Sequence, residues 1–272
     1  MTLRVRAPAT TANLGPAFDC AAVALDLWNE LELSAGDGEP DLEHLGVRAF
    51  SLLAPVDHWC FRWTDRIPRE RGLGSSAAVI ALGVVAAAAI QRRDSDLHDL
   101  LAAGVELEGH ADNLAAALAG GACLTWEHRI ARIADRLPAV PVAVIPEETV
   151  STAASRATLP ASVPHADATF SAGRATLLGA AMAGGSGELF AAGLEDRLHE
   201  PYRAPTTPLL AAVRERLPTG ALGATLSGSG PSVVVWASDE AAPACTRELE
   251  HSFPRARVLL LSTSAMGTHL VQ

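Results

Sequence analysis

Fourteen consecutive residues, Ala77 to Ile90, carry neither a charge nor a polar side chain and are mostly alanine and valine. A helix that is apolar on every side is stable only where other elements enclose it. Crossing a bilayer takes roughly 20 such residues. The run therefore predicts an interior helix over Ser75–Gln91, and no membrane is expected as a partner. It is preceded directly by Gly72-Leu73-Gly74-Ser75-Ser76, a flexible, hydroxyl-bearing turn at the helix start.

The material to enclose such a helix is available. The chain has 272 residues, 49% apolar and 19% charged, enough for one large domain or two modest ones. A net charge of −10 argues against nucleic acid as a partner, since phosphate backbones are met by basic surfaces, and Arg92-Arg93 is only a pair. Met1 to Gly15 lacks the apolar core of a signal peptide, so a cytoplasmic location is expected. The four cysteines, Cys20, Cys60, Cys123 and Cys245, show no metal-ligand spacing and are expected to be reduced and structural.

All 21 basic residues are arginine. Without lysine there is no amine nucleophile for Schiff-base or pyridoxal chemistry. A Walker-type loop is excluded as well, because its lysine reaches the phosphates. Any phosphate chemistry must draw on backbone N–H groups, a helix dipole, arginine and a metal ion.

Strands are expected at Leu3–Arg6, Ala21–Trp28, Glu30–Leu33, Trp59–Thr64, Ala122–Trp126, Val140–Ile145, Ala221–Leu226, Val233–Ala237 and Val258–Leu261. Helices are expected at Leu42–Leu53, Ser75–Gln91, Asp94–Glu108, Asn113–Ala119, Thr152–Leu159, His165–Ala183, Glu188–Leu198 and Thr207–Leu217, with one more before the last strand. Without steady βαβα alternation the fold class is α+β. A shift in composition near Leu137-Pro138 divides the chain into domains 1–138 and 139–272.

Four segments carry candidate chemistry. Pro68 to Ala78 lies between a strand and the apolar helix; its glycines would let backbone approach a polyphosphate, or it is a glycine turn with a serine cap. Glu106 to Asn113 gathers three carboxylates, His110 and an amide, which suits a magnesium ligand and substrate hydrogen bonds. The alternative there is a solvated turn with Asp112 capping the helix from Asn113. Ala7 to Asp19 reads as a long ordered loop with one amide and one acid, a length that leans functional. Ser227-Gly228-Ser229-Gly230-Pro231 is a second glycine turn, or simply a hairpin. Arg156 and Arg203 stand in polar surroundings suited to carboxylate recognition, although most arginines are solvated surface residues.

Asn13-Leu14-Gly15-Pro16-Ala17-Phe18-Asp19, Gly72 to Ala78, Glu108-Gly109-His110-Ala111-Asp112-Asn113 and Leu226 to Pro231 occur in the order seen in the GHMP kinase superfamily. The first motif, Ser151-Thr152…Arg156 and Asp196…His199-Glu200-Pro201-Tyr202-Arg203 resemble its homoserine kinase branch most. The resemblance implies a two-domain α+β fold, with an N-terminal ATP-binding domain like domain 2 of ribosomal protein S5 and a ferredoxin-like C-terminal domain. It implies transfer of the ATP γ-phosphoryl group to the side-chain hydroxyl of L-homoserine, with Mg2+.

Carried over residue by residue, Pro68, Arg71, Gly72, Leu73, Gly74, Ser75, Ser76, Ala77 and Ala78 would bind ATP, and Ser76 and Glu108 would hold magnesium. Asn13, Asp19, His110, Asn113, Arg156 and Arg203 would line the homoserine pocket. Asp112, Asn113, Arg156 and Arg203 would serve the transfer itself, Asp112 as a base or as an orienting group. A homodimer is a further family-level expectation. The sequence departs from the pattern at Ala17 (usually glycine), Ser155 (commonly alanine), in a shortened Ser34–Asp57 stretch, and at His44, where many members have asparagine near the adenine. The rival readings are a GHMP kinase for a mevalonate-like or sugar alcohol, and a non-catalytic relative that binds nucleotide or amino acid.

Overall fold

The computed structural model describes residues 2–92 and 96–271; Asp94 and Ser95, the first two residues of the helix expected over Asp94–Glu108, lie outside them. Two antiparallel sheets organise the chain. The first is built on two long strands, β1 (Thr2–Asn13) and β2 (Ala17–Ala35). These pair along nearly their whole length, with bulges after Pro8 and Ala12. β3 (Trp59–Thr64) and β4 (Ala122–Trp126) both add to β2, β5 (Arg129–Ala134) adds to β4, and the C-terminal β10 (His269–Leu270) adds to β1.

This arrangement corrects the expectation of a long loop over Ala7–Asp19. Only Leu14, Gly15 and Pro16 separate the strands. From Ala7 to Asn13 every residue of β1 is buried. A strand covered on both faces has no reason to alternate apolar with polar residues, so its period of two is invisible. Small residues fit there because helices pack closely on one face and the second sheet's elements on the other.

The predicted interior helix is α2 (Ser75–Ile90), and it is enclosed as expected. It packs against β1, α1 (Leu45–Ser51), α3 (Leu97–Glu108) and α4 (Ala111–Ala119) in one apolar cluster. α4 begins two residues earlier than expected, with His110 in the cap position and Asp112 inside the first turn. Asp112 is therefore not a cap. Its Oδ1 accepts instead from the N–H of the next residue, Asn113, at 2.7 Å.

The chain leaves the first sheet after β5 and enters the second at β6 (Val140–Ile145). The order β7-β8-β6-β9 includes β7 (Ala221–Leu226), β8 (Val233–Ala237) and β9 (Arg257–Leu260). Helices α5 (Thr152–Ala157), α6 (His165–Gly184), α7 (Gly187–Ala192), α8 (Glu200–Arg203) and α9 (Pro208–Glu215) separate β6 from β7, and α10 (Ala242–Ser252) separates β8 from β9. That is the βαββαβ order of a ferredoxin-like unit. The helix expected over Glu188–Leu198 stops at Ala192, where Gly193 follows and Leu194 turns into the core. One cluster, including Leu14, Val23, Phe190, Leu194 and Trp236, joins residues of both sheets.

Among the described residues no helix is long and apolar enough to cross a membrane. All four cysteines are free; Cys123 and Cys245 are buried and Cys60 is partly so, but Cys20 is exposed and cannot be a packing residue.

Candidate active site

The glycine-serine loop meets the other segments at a cleft between the two sheets. Gly74 occupies the cap position of α2 with φ of 65° and no side-chain cap bond. Ser75 and Ser76 are the first helical residues, so the serine-cap alternative fails and the opening N–H groups of a 16-residue helix are left to a ligand. A Cβ on Gly74 would lie 1.8 Å from Thr10 Oγ1, and one on Gly72 (φ 74°) would lie 2.2 Å from the Ser227 carbonyl. Both glycines are thus required by close approach as well as by φ.

The second glycine turn, Ser227 to Pro231, is the loop of the β7–β8 hairpin, as its alternative reading had it, and it also clamps the phosphate loop. Ser227 Oγ donates to the Gly72 carbonyl at 2.7 Å, the Ser232 N–H donates to the Arg71 carbonyl, and the Gly228 N–H donates to the Ala12 carbonyl. Thr10 supplies a bond that no sequence signal announced. Its hydroxyl donates to Asn113 Oδ1 at 2.7 Å directly over Gly74, which turns the Asn113 amide nitrogen away from Thr10.

A cavity of about 200 Å³ lies on these elements, walled by Gly72, Gly74, Ser76, Glu108, Asn113, Thr152 and Gly228 among others. It adjoins a second of about 360 Å³ that shares Glu70, Ser75 and Ser76 and extends to His44. His44 caps α1, accepting from the Gly46 N–H, and stacks on Trp63 at 4.4 Å. Burial lowers its pKa. Of the loop residues, Leu73, Ala77 and Ala78 are fully buried and offer only backbone, while Pro68 lies outside both cavities. Arg71 lines the smaller cavity, but its guanidinium donates to the carbonyls of Pro146, Glu147 and Arg69.

Ser76 and Glu108 come together: the hydroxyl donates to Glu108 Oε2 at 2.7 Å. Burial pushes the Glu108 carboxyl up to about 7, against the lowering effect of the Ser76 bond. Among the described residues no group of three or more His, Cys, Asp or Glu side chains could hold a metal. One hydroxyl and one carboxylate make a poor site for zinc. They fit a magnesium ion that keeps several waters and takes further oxygens from phosphates. Asp112 is buried nearby, and burial raises its pKa to about 6.

The remaining candidates surround the β1–β2 turn. Asn13 and Asp19 both have left-handed backbone, φ 73° and 57°. Such conformations cost least at Asn and Asp among side-chain-bearing residues, and they cluster at functional sites. Asn13 Oδ1 accepts from the Asp19 N–H at 3.0 Å, and its Nδ2 donates to the Gly228 carbonyl at 2.9 Å. Asp19 pairs with Arg156 of α5. α5 is fixed to the glycine turn through Ser155, whose hydroxyl donates to the Ser229 carbonyl at 2.9 Å. The commoner alanine could not make that bond.

Arg203 is 2% exposed and donates from Nη1 to the Gly228 carbonyl at 3.0 Å. Burial lowers the pKa of His110, with Arg156 acting in the same direction. The structure thus joins Asn13 and Arg203 at the Gly228 carbonyl, pairs Asp19 with Arg156, and sets His110 where the charges of Arg156, Asp19 and Arg203 act on it, while Asn113 lines the cavity at the phosphate loop. Residues the sequence did not single out for roles, Thr10, Ser155 and Ser227, hold them there.

Residues 42–121 match the model of the GHMP kinases N-terminal domain, and residues 168–255 match that of the GHMP kinases C-terminal domain. The chain is 41% identical to a homoserine kinase of Streptomyces avermitilis over 90% of this chain and 88% of the relative. It is 37% identical to a homoserine kinase of a Synechococcus species over 100% of this chain and 99% of the relative. A solved homoserine kinase from Cytophaga hutchinsonii superposes with a TM-score of 0.89 at 26% identity, covering 99% of this chain and 97% of that one. A mevalonate kinase superposes at 0.73 with 14% identity over 96% of this chain and 99% of that one, a likeness of fold alone. The chain belongs to the GHMP kinase family, in a two-domain α+β fold, and among named members it resembles the homoserine kinases.

Proposed function

We propose that the protein is a homoserine kinase, moving the γ-phosphoryl group of ATP to the side-chain hydroxyl of L-homoserine to give O-phospho-L-homoserine, a step toward threonine. The observation that carries the reading is the Asp19–Arg156 pair beside the phosphate loop. An acid and an arginine that satisfy one another at a partly exposed position are the complements of an α-ammonium and an α-carboxylate. A sugar or a simple diol has no use for them.

In this reading ATP lies along the two adjoining cavities, its base toward His44 and its phosphates against Gly72, Gly74 and the start of α2. Ser76 and Glu108 would hold Mg2+, which supplies charge neutralisation at the β- and γ-phosphates. Asn113, its carbonyl oxygen held by Thr10, presents its amide N–H to the cleft. Arg203 and Arg156 stabilise anionic charge on the substrate or the transferring group. The homoserine oxygen forms the new P–O bond as the bond from the γ-phosphorus to the ADP oxygen breaks, and the hydroxyl proton passes to solvent water as the phosphate ester forms. Phosphoryl transfer asks mainly for in-line placement and charge stabilisation, so a strong base is not needed. Asp112, buried against the Asn113 N–H, acts as an orienting group. We place the domain division near residue 138, between β5 and β6, with β10 returning to the first domain.

The test is a coupled ADP-release assay with Mg-ATP and a panel of small alcohols. L-Homoserine should support turnover far above mevalonate or galactose; the reverse ranking would sink the assignment. Glu108→Ala should abolish turnover with the fold retained, and an active variant would remove Glu108 from the metal site.

A further inference from the structure

His199 lies in neither the phosphate loop nor the expected substrate shell, yet it is fully buried where the two arms of the site meet. Its Nδ1 is 3.1 Å from Arg203 Nη1, and its Nε2 is 2.8 Å from the Gly15 carbonyl in the β1–β2 turn. A guanidinium has five N–H donors and no acceptor. Nδ1 must therefore accept from Arg203, and the ring proton must sit on Nε2, where it donates to Gly15. Only one neutral tautomer makes both bonds. The imidazolium would set an N–H against the arginine.

The other Nη1 hydrogen goes to the Gly228 carbonyl, while Arg203 Nε is buried with no partner. His199 and Gly228 thus fix the guanidinium. The imidazole is itself held on several sides. Phe18 stacks on it at 5.0 Å, and both Arg156 and Arg203 lie over the Phe18 ring. Asp196 accepts from the N–H groups of Leu198, His199 and Glu200 and from Ser171 Oγ, and stands 3.6 Å from Nε2. Burial and Arg203 lower the imidazole's pKa, while Asp196 and Asp19 oppose them.

We propose that His199 is a positioning residue for the transfer: through a single imidazole tautomer it ties Arg203 to the turn between Asn13 and Asp19, so that one rigid unit addresses the substrate's charged groups. The substrate half of this statement rests on the reading of Arg203 given above; the tautomer does not.

The experiment has two arms. In ¹⁵N spectra of histidine-labelled protein, His199 should show a protonated Nε2 and a bare Nδ1, with no imidazolium at pH 7. The opposite tautomer, or an imidazolium, overturns the proposal whichever alcohol is the substrate. In the kinetic arm, His199→Gln keeps a donor in reach of Gly15 but places no acceptor at Arg203, whereas His199→Asn keeps an acceptor at the Nδ1 position. H199Q should raise the KM for the alcohol about tenfold or more, leaving the KM for ATP within about twofold, and H199N should restore most of the loss. A merely structural histidine would move both KM values together with the melting temperature. That result, or a defect confined to H199N, overturns the proposal. If wild-type protein ignores homoserine, the functional reading fails, and the spectra still decide the tautomer.

Discussion

Asp19 and Arg156, 137 residues apart in the chain, form a two-pronged ion pair: Nη2 lies 2.7 Å from Oδ1 and 3.0 Å from Oδ2, and Nη1 lies 3.0 Å from Oδ2. Both side chains are more than a third exposed, so the pair adds little to stability. Its worth is as a pair of complementary charges that an amino-acid zwitterion can separate and satisfy. Asp19→Asn and Arg156→Ala should each raise the KM for L-homoserine by about 100-fold, since each leaves one substrate charge unpaired. The KM for ATP and the melting temperature should hardly move. Steady-state kinetics with each substrate varied in turn checks this.

Gly74→Ala should be among the most damaging single-methyl changes in the chain. The new Cβ would collide with Thr10 Oγ1, break the Thr10–Asn113 bond, and force a left-handed residue at the start of α2. The backbone alone costs about 1–2 kcal/mol, and the collision adds to it. A lower melting temperature together with loss of ATP binding by calorimetry is the expected result. Thr10→Ser keeps the hydroxyl and should retain most activity.

Glu108 ties metal affinity to pH. Its carboxyl, pushed up to about 7 by burial, is mostly protonated at pH 6 and mostly ionised at pH 8. A proton and a magnesium ion compete for the same oxygens, so the Mg2+ concentration needed for half-maximal rate should be about tenfold higher at pH 6 than at pH 8. Titrating Mg2+ at saturating ATP and alcohol measures it. Glu108→Gln should remove the pH dependence along with most of the rate.

Asp112 predicts a pH dependence of stability in the absence of ligands. Burial raises its pKa from 3.8 to about 6. Between those values the folded chain binds more protons than the unfolded one, so stability from this group is complete below pH 3.8 and is lost as pH rises through 6. Asp112→Asn keeps the acceptor for the Asn113 N–H and has no charge to bury. Its unfolding free energy relative to wild type, measured by denaturant titration, should therefore rise between pH 4 and 7 and level off above, by on the order of 3 kcal/mol at most. A difference independent of pH would show that Asp112 is ionised throughout.

Much of the fold was legible because local and global preferences agree. β3, β4, β6, β7 and β8 fall where their short β-rich runs and bounding turns predict. β5 was missed because Arg129–Ala134 has charged residues in an edge strand, and β10 because two residues carry no pattern. The β1–β2 hairpin was misread as a loop because Ala7 to Asn13 is buried on both faces and so does not alternate. Of the site, the glycine-serine loop and the Glu108–Asn113 corner were visible as local concentrations of chemistry. The supporting bonds of Thr10, Ser155 and Ser227 were not, since a lone hydroxyl in sequence looks the same whether it faces water or a partner 103 residues away.

The sequence by itself determined that α2 would be buried, that any phosphate site would work without lysine, and that carboxylates, amides and arginines were available in a family-like order. Composition and period suffice for such statements because they depend on neighbours within a turn or two of the chain. Only the tertiary structure decided that Asp19 faces Arg156, that Ser76 reaches Glu108, and that Thr10 sets the face of Asn113. Ser76–Glu108 and Thr10–Asn113 depend on how helices pack on one another and on the first sheet, and Asp19–Arg156 on how the second unit packs against it; no local property of the chain encodes such distances.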